Sequence, residues 1–391
     1  MMEKYVTIFP LNEFKQLETP FYFYDMELLR LTLDAIEREV PADDTVFKVH
    51  YAIKANFNPE IVKYIAGRGY GADCVSGGEI KKALDAGIPA NKIVYAGVGK
   101  TDREIAFAID LGIECFNVES EAELEVIDQI AAERNAIARV ALRVNPNIDA
   151  HTHHYITTGL EENKFGINLE HLDRVVARCS ELEHVKLIGL HFHIGSQILT
   201  MEPFVLLCER INSLVAGLNA QGIELELINV GGGLGIDYDE PDHNPISDFK
   251  KYFQAFRNNL KLTPGQTVHF ELGRSVVAQC GSLISRVLYI KNGTSRDYAI
   301  IDAGMSDLIR PALYDARHLI QNLSAPAAPE YNYEVVGPIC ESSDSFGRDI
   351  RLPKLKRGDI VAIRSAGAYG EAMSSHYNCR TLHQAQFSTI K

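Results

Sequence analysis

Lys54 closes the run Val46-Phe-Lys-Val-His-Tyr-Ala-Ile-Lys-Ala-Asn56, whose Val46, Val49, Tyr51, Ile53 and Ala55 predict a largely apolar strand ended by the turn Asn56-Phe-Asn-Pro59. A lysine at the carboxyl end of such a strand either lays its stem along apolar surface with the ammonium in water, or presents its amine in a pocket as a Schiff-base nucleophile. Other residues able to do chemistry stand at the ends of further strand-like runs. They are Asp73 and Ser76, Arg143, His193 and Ser196, the run Gly231-Gly-Gly-Leu-Gly235, and Glu271 with Arg274. The glycine run offers backbone N–H groups with no side chains in the way, a cradle for a phosphate, although the same glycines also suit a plain tight turn. In His191-Phe-His-Ile-Gly-Ser-Gln197, strand alternation puts His191 and His193 on one side.

Those residues need elements that bring strand ends together. Strand-like runs near 46–54, 69–74, 93–97, 114–118, 139–145, 186–194, 224–230 and 267–272 alternate with amphipathic helical patterns, the signature of a (β/α)8 barrel. A helix over 26–40, before the first strand, fills the place of the one missing after the eighth. After Glu271 the pattern changes to strands over 282–290, 298–302, 332–336, 359–365 and 381–387 with Gly/Pro/Ser turns between them. The fold class is therefore α/β: a TIM-like barrel over 26–270 and a separate all-β domain from 271–391, to which 1–25 adds a strand. The stretch from Asn145 to Phe165 exceeds an ordinary barrel loop and reads as a functional loop over the mouth.

Composition bounds the answer further. A hydrophobic content of 46% supports a large core, and no apolar run reaches the length of a membrane span. The start lacks a basic region followed by an apolar block, so no signal peptide is expected. The seven cysteines are odd in number and lack paired metal-type spacing, which predicts reduced thiols in a cytoplasm and no metal site. A formal charge of −13 argues against nucleic acid and anionic membrane as partners.

In a barrel of this kind the active site lies at the carboxyl ends of the strands, with phosphate sites recurring after strands seven and eight. A phosphate cradle and a strand-end lysine in one barrel mouth point to pyridoxal 5'-phosphate. Glu271 then suits the pyridine nitrogen, as a carboxylate that keeps the ring protonated, the alternative being an ion pair with Arg274. For His193 the reading is an imidazole stacked on the ring, against that of a satisfied core histidine.

The chain resembles the diaminopimelate decarboxylases, fold-type III pyridoxal-phosphate enzymes, in ordered motifs along nearly its whole length. They are Tyr51-Ala-Ile-Lys-Ala-Asn56, His191-Phe-His-Ile-Gly-Ser-Gln197, Gly231-Gly-Gly-Leu-Gly235, Glu271-Leu-Gly-Arg274, Asp302-Ala-Gly-Met305, Arg310-Pro-Ala-Leu-Tyr314, Cys340-Glu-Ser342 and Gly367-Ala-Tyr-Gly370. The resemblance implies Lys54 as the lysine that carries the cofactor, His193 as the stacking base and Glu271 at the ring nitrogen. It implies Asp73, Arg143, Ser196, Gly232, Gly233, Gly273, Arg274 and Tyr369 as further cofactor-binding residues. Arg274, Arg310, Tyr314, Glu341 and Tyr369 would hold the unreacting end of the substrate, and Cys340 would donate the proton. The implied reaction converts meso-2,6-diaminopimelate to L-lysine and carbon dioxide, the last step of lysine biosynthesis. The implied assembly is a head-to-tail homodimer in which the Cys340-Glu341 loop enters the partner's site. One departure is Leu272, where the family usually has proline; it loses stiffness at the turn but no functional group.

Three other readings share parts of this pattern. Ornithine and arginine decarboxylases have the same fold, but their substrates end in a cation that Arg310 would repel. Alanine-racemase-like enzymes carry arginine rather than glutamate at the ring nitrogen. A cofactor-binding protein without catalysis usually consists of the barrel alone.

Overall fold

The computed structural model describes residues 5–148 and 164–390. The expected loop over 145–165 falls largely on residues 149–163, outside those described. Two compact units divide the chain: Leu33–Gly235 with Asp248–Gly273, and Met1–Thr32 with Ile236–Ser247 and Arg274–Lys391.

The first unit is a barrel of eight parallel strands. These are β1 (Phe47–Ala52), β2 (Gly71–Cys74), β3 (Ile93–Tyr95), β4 (Cys115–Val118), β5 (Ala138–Asn145), β6 (Val185–His191), β7 (Leu227–Asn229) and β8 (Thr267–Leu272). Each pairs with the next, and β8 returns to β1 through Phe270 opposite Val49 and Glu271 opposite His50. A short strand, Ile167–Asn168, adds to the edge of β5.

Local chemistry starts the helices that alternate with these strands. Asn58 caps Pro59–Gly67 by accepting the N–H of Glu60, Ser76 caps Gly77–Asp85, and Thr101 with Glu104 forms a reciprocal capping box before Asp102–Leu111. Gly112 ends that last helix at φ +64, the left-handed region that a side chain would disfavour.

Alternation along the strands separates two environments. Phe47 and Phe270 point outward onto Phe253 of the helix Phe249–Asn259, with ring centroids 4.9 Å apart from each other and 5.0 Å from Phe253 to Phe270. Their strand neighbours, His50, His269 and Glu271, take the opposite face. Val94, Cys115, Ala141, Ile188 and Leu227, from five successive strands, form a buried apolar cluster. Two residues further on three of those strands stand Asn117, Arg143 and Asn229, so the polar residues follow the apolar ones towards the carboxyl ends.

The second unit is built on an eight-stranded sheet. Its longest strand, Gly281–Lys291, pairs antiparallel with Phe21–Tyr24, Ile360–Ile363 and Asp297–Ile301. Phe14, Phe21, Phe23, Ile284, Ile360 and Ala362 make its core. The strand expected from the first 25 residues is thus present as Phe21–Tyr24, whereas Ser345–Pro353, paired with Glu330–Val336, and Ile320–Asn322 were not expected. The strand expected over 381–387 is confined to Gln386–Phe387.

Candidate active site

Lys54 lies in the tight single-turn helix Ile53–Ala55 that follows β1, and its Nζ donates to Oδ2 of Asp73 at 2.9 Å. Asp73, on β2, is wholly buried; desolvation and the nearby Glu271 push its pKa up, against the pull of Lys54. Its Oδ1 has no hydrogen-bond partner among the described residues.

Glu271, near the end of β8, accepts hydrogen bonds from Nδ2 of Asn117 at 3.0 Å and Nδ2 of Asn229 at 2.8 Å on Oε1, while Oε2 faces Nε2 of His191 at 3.1 Å. Burial alone would raise its pKa, but His191 and the charge of Lys54 outweigh that and hold the carboxyl well below the usual range. Glu271 is therefore held ionised. A carboxylate has about four acceptor positions. Three are taken, which leaves one for the N–H of a protonated ring, so the donor set fits a pyridinium nitrogen.

His193 stands two residues beyond β6. Its Nδ1 accepts the N–H of Gly232 at 3.3 Å, which assigns the proton of the neutral ring to Nε2. Desolvation, with Arg143 and Lys54 nearby, pushes its pKa well below the ordinary value. Arg143, on β5, pairs with Oε1 of the buried Glu119 at 2.6 Å, and its guanidinium lies 4.7 Å from the ring of Phe165.

The glycine run approaches backbone too closely for side chains. A Cβ at Gly232 would collide with the carbonyl oxygen of Glu271, and one at Gly233, where φ is +111, would come 2.9 Å from that of Gly195. A Cβ at Gly273 would meet those of Ala55 and Ala52 at 3.0 and 3.1 Å. These are cradles that hydrogen alone leaves open. Ser196, partly buried, precedes Gln197, whose φ is +65.

In the second unit, Nη1 of Arg274 donates to the hydroxyl of Tyr238 at 2.6 Å, and the guanidinium lies 5.0 Å from the ring of Tyr369. Tyr369 itself has φ +56, a costly conformation for a tyrosine. Arg310 lies 5.4 Å from the ring of Tyr238 and 5.9 Å from that of Tyr314. Its Nε donates to Nε2 of His318 at 3.4 Å, while Nδ1 of that imidazole donates to the carbonyl of Arg364 at 2.9 Å. Burial and Arg310 push the His318 pKa down to about 3, so two guanidinium groups meet tyrosines and a neutral imidazole. Arg310 is buried, yet it has no carboxylate partner among the described residues. Cys340 and Glu341 are exposed on the turn between Glu330–Val336 and Ser345–Pro353. That turn is held by the buried Asp344, which accepts the N–H groups of Ile339 at 2.7 Å and Met305 at 2.6 Å.

Within the barrel the structure brings together Lys54, Asp73, His193, Gly232 and Glu271 through these shared contacts. Sequence reasoning did not single out Asn117, Asn229 and Glu119, and it gave His191 no role of its own. A signal was present: Asn117 and Asn229 are amides inside otherwise apolar strands, Cys115–Val118 and Leu227–Asn229, where an unpartnered amide would be expensive. Tyr238 carried no such signal.

A barrel with a strand-end lysine, a glycine cradle and a buried ionised glutamate defines a class, and over residues 31–278 the chain matches the family described as "Pyridoxal-dependent decarboxylase, pyridoxal binding domain". Within that class the chain belongs to the diaminopimelate decarboxylase family. It is 60% identical to the diaminopimelate decarboxylase of Bacteroides thetaiotaomicron over 375 residues, covering 96% of this chain and 97% of that one. The crystal structure of the Helicobacter pylori diaminopimelate decarboxylase complexed with L-lysine is similar with a TM-score of 0.89 at 40% identity, covering 96% of this chain and 93% of that chain. For the M. jannaschii enzyme in co-complex with L-lysine the values are 0.88 and 36%, covering 97% of this chain and 89% of that chain. The fold class and the family expected from the sequence are both borne out.

Proposed function

We propose that this chain removes carbon dioxide from the D-centre of meso-2,6-diaminopimelate and releases L-lysine, with pyridoxal 5'-phosphate as its cofactor. The observation that carries this reading is the environment of Glu271, a buried carboxylate kept ionised with one acceptor position open. Kinship with diaminopimelate decarboxylases over nearly the whole chain supports the substrate. When bound, pyridoxal phosphate supplies a carbonyl that engages amines and a ring that stabilises the negative charge left as carbon dioxide departs.

The protein's own residues do the rest. Lys54 carries the cofactor through its amine, with Asp73 fixing the position of Nζ. Glu271 keeps a proton on the ring nitrogen, and Asn117, Asn229 and His191 keep Glu271 in place. His193, neutral, would pack against the ring, while Ser196, Gly232, Gly233, Gly273, Arg274 and Tyr369 would hold the phosphate and Arg143 would support the cofactor. Arg310 and Arg274 bind the carboxylate at the far end of the substrate, since a guanidinium fork matches a carboxylate in a bidentate manner. Tyr314 and Tyr369 flank that end, and Glu341 binds its ammonium. Cys340 delivers the proton that replaces carbon dioxide.

Cys340 and Glu341 act in the partner's site of a head-to-tail homodimer, a reading supported by their exposure on a braced turn. The seven cysteines are all free thiols, as in a reducing compartment, and we place the protein in the cytoplasm. No helix among the described residues is long and apolar enough to cross a membrane.

Incubating the purified protein and pyridoxal phosphate with meso-diaminopimelate should release lysine and carbon dioxide in equal amounts. With ornithine, putrescine should not form. Putrescine without lysine would overturn the reading.

A further inference from the structure

We infer that His50, Glu114 and His269 form a binding site for one divalent cation of zinc-like chemistry, towards the amino-terminal end of the barrel strands. Nε2 of His50 lies 3.0 Å from Oε2 of Glu114, and Nε2 of His269 lies 3.4 Å from Oε1 of the same carboxylate. All three donor atoms lie within 4.8 Å of one another. A tetrahedral ion bonded at about 2.0–2.1 Å to such donors spaces them by roughly 3.3–3.4 Å, and the two nitrogen–oxygen distances, one to each oxygen of the carboxylate, lie within a few tenths of an ångström of that spacing.

The surroundings are built around these side chains. A Cβ at Gly71 would come 2.5 Å from Cδ2 and 2.8 Å from Nε2 of His50, so only glycine leaves that ring its place. The two imidazoles lie 4.4 Å apart, and both are almost wholly buried. Their Nδ1 atoms have no partner among the described residues, and both rings turn Nε2 to a single carboxylate. Each ring faces its own oxygen of Glu114, and a cation among the three would take one ligand atom from each side chain.

Glu114 is a quarter exposed and, with His50, Lys48, Arg68 and Lys92, lines a surface cleft that gives an ion access. Water or a small anion would complete the coordination as fourth ligand. Two imidazoles and one carboxylate select zinc-like ions over magnesium or calcium, which prefer oxygen donors. The residues belong to β1, to β8 and to the position just before β4, so the ion would tie strands together across the barrel. Its expected effect is on stability.

The test uses the holoenzyme after dialysis against a chelator. Cobalt(II) should bind at one equivalent per chain with the intense visible bands of four-coordinate cobalt, and zinc(II) should raise the unfolding temperature. Both effects should vanish in Glu114→Gln and His269→Asn and persist in Cys340→Ser. Anomalous diffraction at the zinc edge from wild-type crystals should place the ion among the three side chains, which keeps the test open if a variant does not fold. No uptake by wild type, uptake that both variants keep, or an ion located elsewhere would overturn the inference.

Discussion

Asn229 joins Glu271 to the glycine run: its Nδ2 donates to the carboxylate at 2.8 Å while its Oδ1 accepts the N–H of Gly231 at 2.9 Å. One amide thus fixes both the group proposed for the ring nitrogen and the loop proposed for the phosphate. Asn229→Ala should leave two buried polar atoms each short of a partner, at roughly 1–3 kcal/mol apiece. The unfolding temperature and the affinity for pyridoxal phosphate should both fall. If calorimetry and cofactor titration both match wild type, the linking role is wrong.

Lys54 should carry the cofactor. Borohydride reduction of the loaded protein followed by peptide mapping should recover the label on Lys54, and Lys54→Ala should lose the visible absorption. Label on another lysine would refute the assignment.

Glu271→Gln should retain cofactor but lower kcat by about a hundredfold or more, because an amide cannot hold the ring nitrogen protonated. KM should change less, since the stabilised charge develops only on the way to the transition state. The pH dependence has a definite sign. The folded pKa of Glu271 is depressed below its ordinary 4.5, so its contribution is complete above that value and is lost as pH falls through the lower folded pKa. An acid limb of kcat near neutrality must then come from another group, and Glu271→Gln should leave the position of that limb unchanged.

Arg310→Met should reduce kcat/KM for meso-diaminopimelate on the order of a hundredfold, mainly through KM, because a buried guanidinium–carboxylate contact is lost. Stability should not fall in parallel, since Arg310 is buried without an ion pair among the described residues and methionine removes a desolvated charge. Unchanged KM would exclude Arg310 from substrate binding.

Mixing Lys54→Ala chains with Cys340→Ala chains should restore activity if Cys340 serves the partner's site. At equal mixing about half of the dimers are hybrids with one whole site, so activity should reach roughly a quarter of wild type. Proven subunit exchange without recovery would return Cys340 to its own chain or remove it from the chemistry.

The sequence by itself determined the barrel, because buried parallel strands are apolar runs and their helices begin at capping residues such as Asn58, Ser76 and Thr101 that act over a few positions. It also marked Lys54, His193 and Glu271, since a polar residue at the end of an apolar strand is legible without knowing its neighbours. Local pattern gave out at Ser345–Pro353, where Gly347 and the exposed Arg348, Asp349 and Arg351 blur the alternation of a strand defined by its pairing with Glu330–Val336. Only the tertiary structure decided which side chains share a carboxylate. Asn117 reaches Glu271 across 154 positions, and His50 and His269 meet Glu114 from strands on either side of it in sequence. Such meetings inside a barrel depend on strand tilt and stagger, quantities set by the closure of the whole sheet and carried by no single stretch of residues.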